Sequence, residues 1–191
     1  NVGGVSNVTI VKNDGSFAGF DIGPGNGPID SIVYNKLNLA FKLHKKNNIN
    51  QALISYLELY STNRDSFDLL YLIGTAYTQI GQPKLAIPYL EKALKINDKH
   101  IGTNNNLGGA LFELKRFQES LKIYEKLINI DPNNNLAKNN LANCYLELKY
   151  IDKAINIFEK LLEENPNDFI ALNNFGNVYK KLNNYDLAIS K

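Results

Sequence analysis

The sequence predicts an all-α solenoid of stacked two-helix repeats, and three observations predict it. Small residues recur every 34 positions, at Ala52, Ala86, Ser120, Ala154 and Ala188. Twelve residues before each stands a second small residue (Ala40, Gly74, Gly108, Ala142, Gly176), and three residues after those come Leu43, Tyr77, Leu111, Tyr145 and Tyr179. Inside each period the apolar residues follow helical spacing twice, with a break between. A helix with a single apolar stripe cannot bury it alone, so the units must stack on one another. A period of this length points to binding rather than catalysis.

Residues 1–32 stand outside the period. Val5 to Val11, then Lys12-Asn13-Asp14-Gly15, then Ser16 to Asp21 read as strand, turn, strand, a short β-hairpin-like segment. The loop that follows, GFDIGPGNGPID, is rich in glycine and proline and has an acid near each end. Its glycines permit close approach of backbone to a ligand, and Asp21 beside them has the chemistry of a base or a metal ligand. Ordinary turn formation explains the same glycines.

The repeats then run 33–66, 67–100, 101–134 and 135–168, with a fifth, 169–191, cut short. In the fourth, Leu136, Leu141, Tyr145 and Leu148 form one stripe, Lys149-Tyr150 breaks it, and Ala154, Ile155, Phe158, Leu161 and Leu162 form the next. Glu164-Asn165-Pro166 ends the second helix, because the residue before a proline is pushed out of the α region. The small residues belong where the two helices cross closely, with Tyr56, Leu90, Tyr124 and Phe158 filling the space beside them. Pro88 falls inside the second helix of repeat two. It removes one backbone hydrogen bond and is expected to bend that helix, at a cost of up to about 3 kcal/mol.

Composition narrows the function. A net charge of +2, with 21 % charged residues of interspersed sign, gives no nucleic-acid signature. Cys144, the only cysteine, has no internal disulfide partner; on a helix beside Tyr145 it reads as a packed thiol rather than a nucleophile. No run of apolar residues is long enough to span a membrane, and no signal peptide is visible, so a cytoplasmic protein is expected. No metal or cofactor is expected. The chain opens on Asn and stops mid-pattern at Lys191, so both ends look cut. Asparagine occurs 29 times, with Ile, Lys and Tyr also frequent, which suggests AT-rich codons and a low-GC source.

The repeat resembles the tetratricopeptide repeat (TPR), which has a small residue at its eighth position, an aromatic or aliphatic at the eleventh, Ala at the twentieth and Pro near the thirty-second. The match runs from Val33 to Lys191. Ser120 in place of Ala, and the lack of a closing proline in the first two repeats, are its departures; Pro132 and Pro166 close the third and fourth. The resemblance implies a right-handed superhelix whose inner groove is lined by the first helix of every repeat.

Along that face stand Asn38, Leu72, Asn106, Asn140 and Asn174 in one column, Asn105, Asn139 and Asn173 one residue earlier, and Asn143 and Asn177 three later. A carboxamide both donates and accepts, so a spaced row of them suits the C=O and N–H groups of an extended peptide. Such a row reads backbone and tolerates many side chains. It resembles the asparagine ladder in the tetratricopeptide region of O-linked N-acetylglucosamine transferases, whose repeats also carry the run ALNNFGNVYKKL. The chain's bias toward asparagine gives a compositional route to the same pattern, and Leu72 interrupts the row. A clamp for a C-terminal carboxylate is not expected, because Lys45, Lys138, Lys180 and Lys181 do not follow the spacing such clamps use.

The N-terminal segment carries a second resemblance. NVGGVSNVT, followed by GFDIGPGN and ID, resembles the anhydro-N-acetylmuramic acid kinases, a bacterial family of the actin-like ATPase superfold that phosphorylates a sugar of recycled peptidoglycan with ATP and Mg²⁺. By that resemblance Asp21 takes the place of the aspartate that activates the attacking water. Gly23, Gly25 and Asn26 belong to the substrate loop, while Ile22 departs from the family's Thr. The match stops near Val33, where the repeats begin, and such a kinase needs two lobes that are each far longer than this segment. A gene fusion, a recombined remnant and a misjoined fragment all account for it, and none of them makes this chain an enzyme.

The function expected is therefore a non-enzymatic scaffold binding a partner protein or extended peptide, without nucleic acid. Two alternatives remain open: a kinase of cell-wall recycling fused to repeats, and the substrate-recruiting arm of a glycosyltransferase. The shortened fifth repeat leaves Phe175, Tyr179, Leu182 and Ala188 partly uncovered, which invites self-association.

Overall fold

The computed structural model describes residues 27–181. They form helices α1 (Gly27–Lys45), α2 (Ile49–Thr62), α3 (Phe67–Gln79), α4 (Pro83–Ile96), α5 (Ile101–Glu113), α6 (Phe117–Ile130), α7 (Asn135–Glu147), α8 (Ile151–Glu164) and α9 (Phe169–Lys181). From α3 onward every odd-numbered helix starts one sequence period after the last, and from α2 so does every even-numbered one. The described residues fall into two compact units divided after Asp98, one holding α1–α4 and the other α5–α9.

Side-chain caps mark the starts of α3, α5, α7 and α9, whereas α2, α4, α6 and α8 follow directly from the hairpin turns without one. Ser66 Oγ accepts from the Leu69 N–H, His100 Nδ1 from Thr103, Asn134 Oδ1 from Ala137, and Asp168 Oδ1 from Ile170 and Ala171. Each cap satisfies donors that the first helical turn leaves without intrahelical partners. The turn inside each hairpin is a Schellman motif, with one residue at positive φ: Asn47 (63°), Gly81 (70°), Lys115 (59°) and Lys149 (68°). In the third repeat Arg116 N–H donates to Leu111 O at 2.9 Å and Lys115 N–H to Phe112 O at 2.9 Å, and the fourth repeats this with Tyr150 and Lys149.

In the first unit α1 packs on α2, α2 on α3 and α3 on α4. Leu37 and Ala40, Ala52, Tyr56 and Leu59, and Leu69, Leu72, Ile73 and Ala76 make its core. The buried Tyr56 hydroxyl meets His44 Nδ1 at 3.2 Å, and His44 Nε2 meets Gln79 Oε1 at 2.5 Å. In the second unit each helix from α5 to α9 packs on the next, and α7 also touches α5 and α9. Tyr124 and Leu127 join Leu141 and Cys144 in one cluster, while Phe158 and Leu161 join Ala171, Phe175 and Val178 in another. Fully burying one such side chain contributes about 1.5–3 kcal/mol.

The small-residue columns lie at the close crossings. A Cβ on Gly74 would stand 2.6 Å from Cγ and Cδ2 of Leu90, and one on Gly108 would stand 2.6 Å from Cζ of Tyr124. Ser120 keeps the small size that the column demands, and its hydroxyl donates to Gly108 O at 2.8 Å across the hairpin. Helix α4 runs on through Pro88, which is exposed and leaves the Lys84 carbonyl without its intrahelical N–H.

Two expectations change. The first helix begins at Gly27 rather than near Val33, so the end of the glycine- and proline-rich loop is helical. Proline is tolerated in a first turn, where its missing N–H has no intrahelical acceptor to lose, and Pro28 is the second residue of α1. Phe175 is also fully buried instead of uncovered, packed against Phe158 (ring centroids 5.9 Å) and Tyr179 (5.0 Å). The β-hairpin-like segment, Asp21, Gly23, Gly25 and Asn26, and Leu182 and Ala188, all lie outside the described residues.

Candidate functional site

The asparagine columns of repeats three to five fall on α5, α7 and α9, the helices that layer on one another in the second unit. Asn105 and Asn106 on α5, Asn140 and Asn143 on α7, and Asn174 on α9 are half-buried, whereas Asn173 and Asn177 are exposed. Across α5 and α7, Asn140 Nδ2 reaches Asn105 Oδ1 at 3.5 Å, a long contact that leaves both carboxamides capable of better bonds to a ligand. Asn38 is half-buried on α1 in the other unit, and Leu72 is buried in that unit's core.

Asn139 is placed differently from its column mates. It is 1 % exposed, its Nδ2 donates to Asn135 O at 3.2 Å, and its Oδ1 has no partner among the described residues. This carboxamide sits inside the packing of α7 rather than along the row. Asn104, which the columns do not include, is also buried, with Nδ2 donating to His100 O at 2.9 Å behind the His100 cap.

One residue of the site escapes the sequence columns. Tyr124 fills the crossing beside Gly108, but its hydroxyl reaches the asparagine row, where it donates to the Asn105 main-chain carbonyl at 3.4 Å, with the Asn140 side chain close by. Burial holds this phenol well above its ordinary pKa, with Cys144 nearby acting in the same direction, so it stays a protonated donor. Gly109 lies beside it: a Cβ there would stand 3.7 Å from the Tyr124 hydroxyl, an ordinary contact. The signal in sequence was tyrosine in a column where the next repeat has Phe158.

The row therefore presents neutral groups that donate and accept, with little charge among them. Elsewhere in the unit Arg116 pairs with Glu119 at 2.6 Å and half-buried Lys138 with exposed Glu164 at 3.4 Å, solvated pairs of modest energetic weight. Cys144 is enclosed, its sulfur 3.3 Å from Ser120 Oγ, and burial pushes the thiol up to about 11. Such a thiol is a packed group and a poor nucleophile at neutral pH. Among the described residues, no three His, Cys, Asp or Glu side chains gather as a metal site would require, and no helix is long and apolar enough to cross a membrane.

Comparison with known proteins agrees with the repeat architecture. Residues 111–175 and 170–190 match models of the tetratricopeptide repeat, and residues 45–127 match the model of the anaphase-promoting complex, cyclosome, subunit 3. Among solved structures, the chain is similar to a tetratricopeptide repeat protein from Parabacteroides merdae ATCC 43184, with a TM-score of 0.77 and 19 % identity over 86 % of this chain and 64 % of that one. It is similar to MamA from Desulfovibrio magneticus RS-1, with a TM-score of 0.75 and 18 % identity over 83 % and 89 %. It is also similar to YrrB, described as a TPR protein with an unusual peptide-binding site, with a TM-score of 0.68 and 22 % identity over 81 % and 80 %. At these identities the likeness shows the fold. Two anhydro-N-acetylmuramic acid kinases match parts of the chain. That of Vibrio cholerae serotype O1 is 32 % identical over 85 residues, and that of Phenylobacterium zucineum 64 % identical over 33 residues. The chain spans only 23 % and 9 % of their respective lengths.

Proposed function

We propose that this chain, which carries tetratricopeptide repeats, is a binding scaffold that holds an extended polypeptide along the asparagine row of α5, α7 and α9. The observation that carries the reading is the row itself. Half-buried carboxamides stand on successive first helices; those of Asn140 on α7 and Asn105 on α5 are only loosely bonded to each other, and the Tyr124 hydroxyl donates to the Asn105 main-chain carbonyl beside them. An extended chain offers one C=O and one N–H per residue, and carboxamides can answer both. The loose Asn140–Asn105 contact would be exchanged for bonds of better geometry to the peptide backbone. Asn106, Asn140 and Asn174 are the residues we assign to backbone contact, with Asn105, Asn143, Asn173 and Asn177 flanking them. Asn139 is left out because it is enclosed.

The test is calorimetric titration of the chain with unstructured peptides of mixed sequence, in wild type and in a variant with Asn106, Asn140 and Asn174 replaced by Ala. Loss of three bonds of about 0.5–1.5 kcal/mol each predicts at least a tenfold weaker Kd. Unchanged affinity would sink the assignment.

A second reading concerns the N-terminal segment. The 64 % identity over 33 residues supports its descent from an anhydro-N-acetylmuramic acid kinase, with Asp21, Gly23, Gly25 and Asn26 as remnants of that site. The chain by itself is expected to be catalytically silent. Incubation with ATP, Mg²⁺ and anhydro-muramic acid should yield no sugar phosphate, and measurable transfer would overturn this.

A further inference from the structure

In the first unit, well away from the asparagine row in sequence, three tyrosines from three successive helices converge. Tyr60 comes from α2, Tyr77 from α3 and Tyr89 from α4. The ring of Tyr89 stands 5.5 Å from that of Tyr60, edge to face, and 5.8 Å from that of Tyr77, stacked. Lys92, one turn beyond Tyr89, places its ammonium 5.9 Å from the centre of the Tyr60 ring and donates to the Tyr60 hydroxyl at 3.2 Å. We propose that Tyr60, Tyr77, Tyr89 and Lys92 form a binding site for an oxyanion, a carboxylate or a phosphate group.

The donor balance is the first argument. The Tyr60 oxygen already accepts from Lys92, so its O–H proton needs an acceptor elsewhere. The hydroxyls of Tyr77 and Tyr89 and the two remaining N–H groups of Lys92 add four more donors. Among the described residues, no carboxylate or carbonyl accepts from these hydroxyls. The neighbours that shift the Tyr89 phenol, after burial itself, are Tyr77, Tyr60 and Lys92, with no acid among them. The three tyrosines are half-buried and Lys92 is exposed beside them, so the cluster presents surplus donors and one positive charge at an accessible surface, which suits a ligand that only accepts and carries negative charge.

The repeats supply an independent argument, because they show what the fold alone asks for at these positions. In the repeats that follow, the Tyr60 position is held by Leu94, Ile128 and Leu162, and the Tyr89 position by Ile123 and Ile157. All five are half-buried aliphatic residues. Packing between these helices is therefore met by an apolar side chain, and the hydroxyls of Tyr60 and Tyr89 are additions that packing does not need. Lysine stands at the Lys92 position again in Lys126 and Lys160, but only in this unit does it face tyrosines at both neighbouring positions.

The test follows tyrosine ring resonances by NMR during titration with inorganic phosphate, then with a glutamate-bearing peptide and its phosphoserine counterpart. Tyr60→Phe with Tyr89→Phe removes the hydroxyls and keeps the rings, Lys92→Gln removes the charge, and Tyr145→Phe is the control. We expect at least one probe to shift the Tyr60 and Tyr89 rings in a saturable way. The double variant and Lys92→Gln should each weaken that binding about tenfold or more, the equivalent of one charge-assisted bond, with the control unchanged. Response to phosphate and phosphopeptide alone would identify a phosphate site, and response to the glutamate peptide a carboxylate site. No saturable shift with any probe, or equal binding in the Phe and Gln variants, would overturn the proposal. Unfolding midpoints of the variants near wild type confirm that the comparison is made on folded protein.

Discussion

Replacing Gly108 with alanine tests the geometry that delivers Tyr124 to the asparagine row. The added Cβ would stand 2.6 Å from Cζ, 2.9 Å from Cε2 and 3.0 Å from Cε1 of Tyr124. The ring is 2 % exposed and its hydroxyl is engaged at Asn105, so it cannot rotate away as an aliphatic tip would. Overpacking of this kind costs about 1–3 kcal/mol, while alanine returns about 1 kcal/mol of helix propensity over glycine. The net expectation is destabilisation of up to about 2 kcal/mol in wild type. In a Tyr124→Val background, where the ring atoms are gone, the same substitution should instead stabilise by about 1 kcal/mol. Urea unfolding followed by far-UV circular dichroism gives all four corners of this cycle. A change of sign between backgrounds is the prediction. Equal stabilisation in both would refute the close crossing, and with it the account of why this column takes glycine. At Gly74 the contact falls on Leu90, a flexible side chain, so Gly74→Ala should cost less than Gly108→Ala in the same assay.

Three further outcomes follow from the backbone and from burial. Lys149→Gly should raise stability by up to about 1 kcal/mol, since Lys149 holds φ at 68° and left-handed backbone costs a residue with a Cβ more than it costs glycine. Pro88→Ala should raise the unfolding midpoint by restoring an intrahelical N–H in α4, with about 3 kcal/mol as the ceiling. Cys144 should resist alkylation until the chain unfolds, because its thiol is buried and pushed up to about 11. Its linkage has a definite sign. The unfolded thiol ionises near 9 and the folded one near 11, so its contribution is intact below about pH 9 and is lost as pH rises toward 11. A Cys144→Ala variant, read by unfolding midpoint against pH, should lose less stability across that window.

The repeating columns made the helices, their hairpin order and the close crossings legible, because size and periodicity are written directly in side-chain volume. The turns were less legible. Gly81 announces positive φ, but Asn47, Lys115 and Lys149 adopt it too, and a lysine carries no sign of it. The start of α1 was missed because Gly27-Pro28 reads as loop, although proline is at home in a first helical turn. The asparagine columns fall on the first helices of their repeats, but a column does not fix burial. Asn105 and Asn139 share a column, yet one is half-buried and the other enclosed, a difference set by packing rather than by residue type. Tyr124 was legible as filler, while its hydroxyl at the row depended on a crossing that only the fold defines.

The central claim is that the row reads peptide backbone, and the most direct measurement removes backbone donors while leaving side chains alone. An unstructured peptide that binds the chain is prepared with N-methyl groups on alternate residues, and separately with its side chains scrambled; both are titrated and their Kd values compared with that of the parent. Contact through Asn106, Asn140 and Asn174 predicts that N-methylation weakens binding at least tenfold and that scrambling leaves it within about threefold, since each lost bond is about 0.5–1.5 kcal/mol. Tight binding of the N-methylated peptide together with loss on scrambling would contradict the account.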